Sequence, residues 1–141
     1  DITDLAEIAE IRAQLEPLAA ARAARNATPE RRAELRSVAD ELESIDLPDT
    51  PPRSLMQHDL DVHRSIYAAS GNKHLQEVLL TYDNLATRIW CMVIDRLPRV
   101  DSHIVEHVTL LRAIADGDEE RARQVAYDHV MSFEQLVRSV I

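Results

Sequence analysis

Apolar residues recur at intervals of three and four from Leu5 to Val140, and no stretch alternates in twos. A period near 3.6 gathers such residues on one face of an α-helix, whereas a half-buried strand needs a period of two. Only two glycines and one phenylalanine occur, while Ala, Leu, Glu and Arg abound, a composition that favours helices. The chain is therefore expected to be all-α, an antiparallel bundle of six helices or seven. Its 141 residues suit a single domain spanning 1–141.

Local signals divide the pattern. The first helix is expected from about Thr3 to Arg25, with Leu5, Ile8, Leu15 and Ala19 on one stripe. Thr28-Pro29-Glu30 reads as a cap, a proline at the first turn and an acid, opening a second helix that ends near Ser44. Three prolines between Asp46 and Pro52 make a loop. A third helix runs from about Ser54 to Ala69 and stops at Ser70-Gly71-Asn72. The fourth, from about Lys73 to Arg96, carries Leu75, Val78, Leu79, Tyr82, Leu85, Ile89, Trp90 and Val93, and Pro98 breaks it. The fifth spans about Asp101 to Ala115 and closes at Gly117, and Asp118 caps the sixth.

Four polar residues occupy slots in these stripes that packing would fill with apolar ones. Asp59 and His63 are four apart, so they lie one above the other on the third helix, in the series Met56, Asp59, His63, Ile66. His107 falls between Ile104 and Leu111, and His129 between Val125 and Phe133. Buried groups of this kind are costly unless they are hydrogen-bonded or coordinate a metal. One core histidine is ordinary; three with a carboxylate point to a divalent cation. Three imidazole nitrogens and a carboxylate oxygen suit zinc, nickel, manganese, cobalt or iron, and these ligand types do not choose among them; zinc is the first expectation. Ligation needs neutral imidazole, so occupancy should weaken in acid.

Other polar residues divide differently. His58, His74 and His103 are expected at the surface, although His103, four before His107, can approach the same face. Glu106 and Asp128 directly precede ligand candidates and are expected to face elsewhere. Arg12 stands on the stripe between Ile8 and Leu15. It is either paired with Glu16 or Glu7, its stem buried, or prepared to clasp a ligand carboxylate through two parallel hydrogen bonds. Cys91, the lone cysteine, lies among apolar residues (IWCMVI), so a buried, inert thiol in a reducing compartment is expected. A formal charge of −9 argues against this chain gripping nucleic acid by itself. No apolar run approaches the length of a membrane span, and a cytoplasmic location is expected.

The order EIRAQLEPLAA, DLDVHRSIYAASGNKHL, EHVTLLRAIADGDEERA and a closing DHV resembles the C-terminal ligand-binding (FCD) domain of GntR-superfamily, FadR-like transcription regulators, over essentially the whole chain. The resemblance implies that Asp59, His63, His107 and His129 hold a divalent metal at the bottom of a pocket. Val62 replaces the usual phenylalanine before the second ligand, a packing change. Arg12 matches the arginine of the family's opening (Glu10, Arg12, Leu15, Glu16), an effector-contacting position. Asn72 matches the SGN asparagine, as a helix cap or a ligand contact, and Arg88 and Trp90 are expected to line the cavity.

Such regulators carry a winged helix-turn-helix domain ahead of this one. The chain begins at Asp1, already in helical rhythm, so DNA binding is expected only through that preceding domain. The expectation is thus a non-enzymatic, homodimeric sensor of a small organic acid, without membrane partners. A metal-dependent hydrolase and an interaction module with a purely structural metal are the rivals. The first would need a general base beyond Asp59, and no spare inward carboxylate is evident in the stripes.

Overall fold

The computed structural model describes residues 2–98 and 101–141. Six α-helices and one 3₁₀ turn account for the described chain: α1 (Ile2–Asn26), α2 (Pro29–Glu43), the turn Leu47–Asp49, α3 (Pro52–Ala69), α4 (Lys73–Val93), α5 (Asp101–Ala115) and α6 (Glu119–Arg138). The expected all-α architecture holds. The proline-rich loop contributes the short 3₁₀ turn, and α4 ends at Val93, three residues short of the expected Arg96.

Helix ends form where the local chemistry dictates. The Thr28 hydroxyl accepts from Arg31 N–H, and the Asp118 carboxylate accepts from Arg121 N–H, each at 3.1 Å. After α5, Gly117 takes φ +75°, so Asp118 N–H reaches back to Ala113 C=O and Gly117 N–H to Ile114 C=O. Those bonds satisfy carbonyls that the helix end would leave bare. Arg32 adds to this closure. Its guanidinium donates to Ala24 C=O at 2.8 Å, Ala27 C=O at 3.1 Å, Ile114 C=O at 2.9 Å and Ala115 C=O at 3.2 Å, tying the ends of α1 and α5 together.

The position of α1 organises the rest. It packs most extensively on α6 and also touches α3, α4 and α5, while α2 covers α5. Ala13, Ala19, Ala20, Ala21, Ala23 and Ala24 are all buried, and their small side chains let neighbouring helices approach closely. A helix surrounded on several sides has a wide inward arc. That is why Arg12 and Glu16, at the same level as the polar slots of α3 and α6, are both buried.

The apolar packing falls into three clusters. Along α4 the buried stripe runs Leu75, Leu79, Asp83, Ala86, Trp90, Val93. Leu79 belongs to one cluster, Trp90 and Val93 to the others, and the carboxylate of Asp83 stands between them. No helix among the described residues is long and apolar enough to cross a membrane.

Candidate metal centre

The third, fifth and sixth helices bring Asp59, His63, His107 and His129 together, each offering a ligand atom within 4.8 Å of the others. His63 and His107 are 2% and 0% exposed, and His129 4%. The three imidazoles turn Nε2 toward one carboxylate oxygen. Asp59 Oδ1 lies 2.9 Å from Nε2 of His107, 3.3 Å from that of His63 and 3.8 Å from that of His129. Nε2 of His107 and His129 face each other at 3.0 Å.

Most of these spacings are close to those of ligands around one cation, and the 3.8 Å from Asp59 Oδ1 to His129 Nε2 is wider. With bonds of about 2.1 Å, neighbouring donors around one ion stand roughly 3.0–3.4 Å apart. The chemistry of the donor set fits as well: three imidazole nitrogens and a carboxylate oxygen are ordinary ligands of a divalent cation. Burial and the adjacent His129 push His107 down to about 4 and keep it neutral. Against the effect of burial, Asp59 with Glu16 raises His63 and Asp59 with Glu106 raises His129, so these two would give up protons to bind a cation. Burial opposes ionisation of Asp59, but the imidazoles outweigh it and hold its carboxyl well below the usual carboxylate range.

The outer nitrogens meet further carboxylates. His129 Nδ1 is 3.2 Å from Glu106 Oε1, and His63 Nδ1 is 3.6 Å from Glu16 Oε2, too far for a hydrogen bond. A carboxylate–imidazole hydrogen bond such as that of Glu106 and His129 fixes which ring nitrogen carries the proton and leaves the other free for a metal. His107 Nδ1 has no hydrogen-bond partner. Glu16 also receives the Tyr67 hydroxyl and both Nε and Nη2 of Arg12, at 3.2 and 3.0 Å. Despite burial, Arg12, His63 and Tyr67 hold its carboxyl at about 2.

Several sequence expectations need correction here. His103 is 6% exposed, not a surface residue, and its Nδ1 lies 3.0 Å from Glu106 Oε1. Glu106 does not face elsewhere. It reaches between His103 and His129 because α5 and α6 are packed neighbours. His103, Glu106 and His129 themselves form a second group of potential ligands that shares His129 with the first. Cys91 is exposed, one position past the buried Trp90, with Sγ 3.6 Å from Met56 Sδ. His74 is exposed and His58 partly so.

A small cavity opens beside the cluster, lined by Arg12, Asp59, His63, Asp83, Trp90 and His129 among others. Its volume is about 10 Å³, the scale of one water. Trp90 meets Phe133 edge to face at 5.1 Å, and Ala86 and Val130 complete an apolar wall. Trp90 is among the residues that line this cavity. Arg88 is not: it is exposed and lines a groove between α1 and α4 with Ile11, Tyr82 and Leu85. Asn72 also lies away from the cavity lining, its side-chain oxygen accepting from His74 and Leu75 N–H at 3.1 and 3.0 Å as the cap of α4.

Two inward carboxylates, Glu16 and Asp83, escaped the sequence reading, which found none to spare. Asp83 was detectable, standing four after Leu79 and seven before Trp90 on the buried face of α4. It is 2% exposed; Oδ1 lies 3.5 Å from Arg12 Nη2, and Oδ2 has no hydrogen-bond partner. Burial pushes its carboxyl up to about 6 against the pull of His63 and Arg12.

A larger depression of about 500 Å³ lies between α2 and α5, lined by Leu42, Ile104, Val108 and Arg112. No set of converging ligand atoms stands there among the described residues. The converging ligand atoms stand beside the small cavity.

No curated protein matches this chain. The FCD domain family, in contrast, matches residues 7–132, a span that includes Arg12, the four clustered ligand candidates and Asp83. The all-helical fold agrees with that match, and the chain belongs to the FCD domain family, the C-terminal effector-binding domain of GntR-family transcription regulators.

Proposed function

We propose that this domain senses a small organic acid through a divalent cation held by Asp59, His63, His107 and His129. The observation that carries the reading is the convergence of three buried Nε2 atoms on one Asp59 oxygen beside a cavity that also presents Arg12. Four ligands from the chain would complete a tetrahedral zinc, which admits an acid only by expanding to five-coordination, and would leave two positions open on six-coordinate nickel, manganese, cobalt or iron. The cation supplies a strong positive charge for an anionic group. The chain's own residues do the rest: Glu106 steadies His129, Glu16 sets a negative charge beside His63, and Arg12 adds a second, permanent positive charge on the cavity wall.

The tightness of the cavity gives the response. An acid larger than a water cannot enter without displacing its walls, and those walls belong to α1, α3, α4 and α6. The ligand then favours whichever packing of the bundle accommodates it, by its difference in affinity for the two. In a homodimer this change would reset the spacing of the DNA-binding domains that such regulators carry. Exposed Ile11 and Leu18 on α1 and Val78 on α4 offer an apolar face for pairing. Nothing in this scheme requires turnover, and the role is regulatory.

Titration calorimetry with short carboxylic acids tests the reading, before and after treatment with a chelator. Binding that disappears on metal removal and returns with zinc supports it; affinity indifferent to the metal refutes it.

A further inference from the structure

Asp83 is a poor choice for a residue whose only task is packing. Its carboxylate is almost wholly buried, in the middle of an apolar stripe, and uses its acceptor capacity incompletely. Burying a carboxylate with an unmet oxygen is costly, and Leu or Ala would fill the slot without that penalty. Arg12 does not resolve the cost. Its Nε and Nη2 are directed at Glu16 Oε1, and its approach to Asp83 Oδ1 is a longer 3.5 Å. Thr87, one turn on, gives its hydroxyl to the Asp83 backbone carbonyl at 2.8 Å and leaves the carboxylate alone.

The cavity's charges say what Asp83 can do. Resting on the metal-dependent reading above, a divalent cation and Arg12 together balance Asp59, Glu16 and Asp83. A bare carboxylate entering this space brings another anion toward an oxygen that already lacks a donor. A ligand carrying its own N–H or O–H beside its carboxylate removes that conflict.

We propose that Asp83, on the wall of the same cavity as Arg12 and the ligand cluster, is a specificity residue: its unpartnered carboxylate oxygen accepts a hydrogen bond from a hydroxyl or ammonium group adjacent to the effector's carboxylate. The effector class is therefore a short α-hydroxy or α-amino acid. Plain carboxylic acids and keto acids, which have no proton to give at that carbon, are rejected.

Four three-carbon acids of nearly equal size test this on the zinc-loaded protein: L-lactate, L-alanine, propionate and pyruvate, compared by titration calorimetry and thermal shift. Pyruvate is the key control, because it can chelate a cation as lactate does but offers no donor. A charge-assisted hydrogen bond predicts that lactate, alanine or both bind about 10- to 100-fold more tightly than propionate and pyruvate. Which of the two donors wins separates hydroxyl from ammonium. Asp83→Asn, whose amide can itself donate, should shrink that preference to less than threefold and improve pyruvate relative to lactate. Pyruvate or propionate binding within threefold of the better donor acid overturns the assignment without any variant. So does a full donor preference in an Asp83→Asn protein that melts cooperatively. If none of the four acids binds the zinc-loaded protein at millimolar concentration, the carboxylate-sensing reading beneath it falls as well.

Discussion

Glu106 offers the sharpest test of how the centre is built. Its Oε1 lies 3.2 Å from His129 Nδ1 and 3.0 Å from His103 Nδ1, and Oε2 stands 3.5 Å from the Ser132 hydroxyl. A neutral imidazole carries one proton, on either nitrogen. Glu106 holds it on Nδ1 of His129 and thereby leaves Nε2, the atom that faces His107 and Asp59, free to ligate. Removing such a partner weakens metal binding by about 10- to 100-fold, or roughly 1.4–2.7 kcal/mol. Glu106→Gln keeps an oxygen that can accept the N–H, so the lower end applies; Glu106→Ala loses both charge and acceptor, and the upper end applies. The side chain is 31% exposed, so the melting temperature of the metal-free protein should hardly move. Competition with a chromophoric zinc chelator measures the affinities, with Glu120→Ala on the exposed start of α6 as a control. Zinc affinities of both Glu106 variants within twofold of the parent would refute the bracing role.

Three further outcomes follow from the same geometry. The Asp83 carboxyl is raised from an unfolded value of 3.8 to about 6. The folded state therefore bears a cost that is absent below pH 3.8, grows up to pH 6 and is complete above it, on the order of 3 kcal/mol. Asp83→Asn should accordingly stabilise the metal-free protein at pH 8 and leave it little changed at pH 4, as denaturant titrations at the two pH values would show. Arg12→Leu strips the counter-charge from buried Glu16 and Asp83 and should destabilise the fold by about 3–5 kcal/mol, read from urea unfolding. Arg32→Ala bares carbonyls at the ends of both α1 and α5, and a loss of about 2–3 kcal/mol is expected by the same measurement.

The features legible in the sequence are those set by neighbours along the chain. Thr28, Asn72 and Asp118 cap helices, and Gly71 and Gly117 take positive φ, because these depend on a few adjacent backbone groups. The grouping of Asp59, His63, His107 and His129 was equally readable, since each interrupts an apolar stripe. What failed was the choice of face where apolar letters occupy more than one side of a helix. On α4 they added Val78, Tyr82, Leu85 and Ile89 to Leu75, Leu79, Trp90 and Val93. The buried line keeps only the second group and joins Asp83 and Ala86 to it, leaving Val78 41% exposed and Cys91 in the open. On α1 a single stripe admitted Arg12 but not Glu16, because contact with four other helices widens the buried arc beyond what one chain's periodicity reveals. His103 and Glu106 are buried or engaged through α6, a tertiary contact with no local signature.

The central claim is a cation shared by α3, α5 and α6, and metal stoichiometry tests it most directly. Elemental analysis of the purified protein, repeated on His107→Ala and on Asp59→Ala/His63→Ala, is the measurement. About one divalent ion per chain in the parent, lost from both variants while helicity by circular dichroism persists, is the predicted result. A parent that takes up no ion even after incubation with zinc, or variants that retain it in full, would contradict the account.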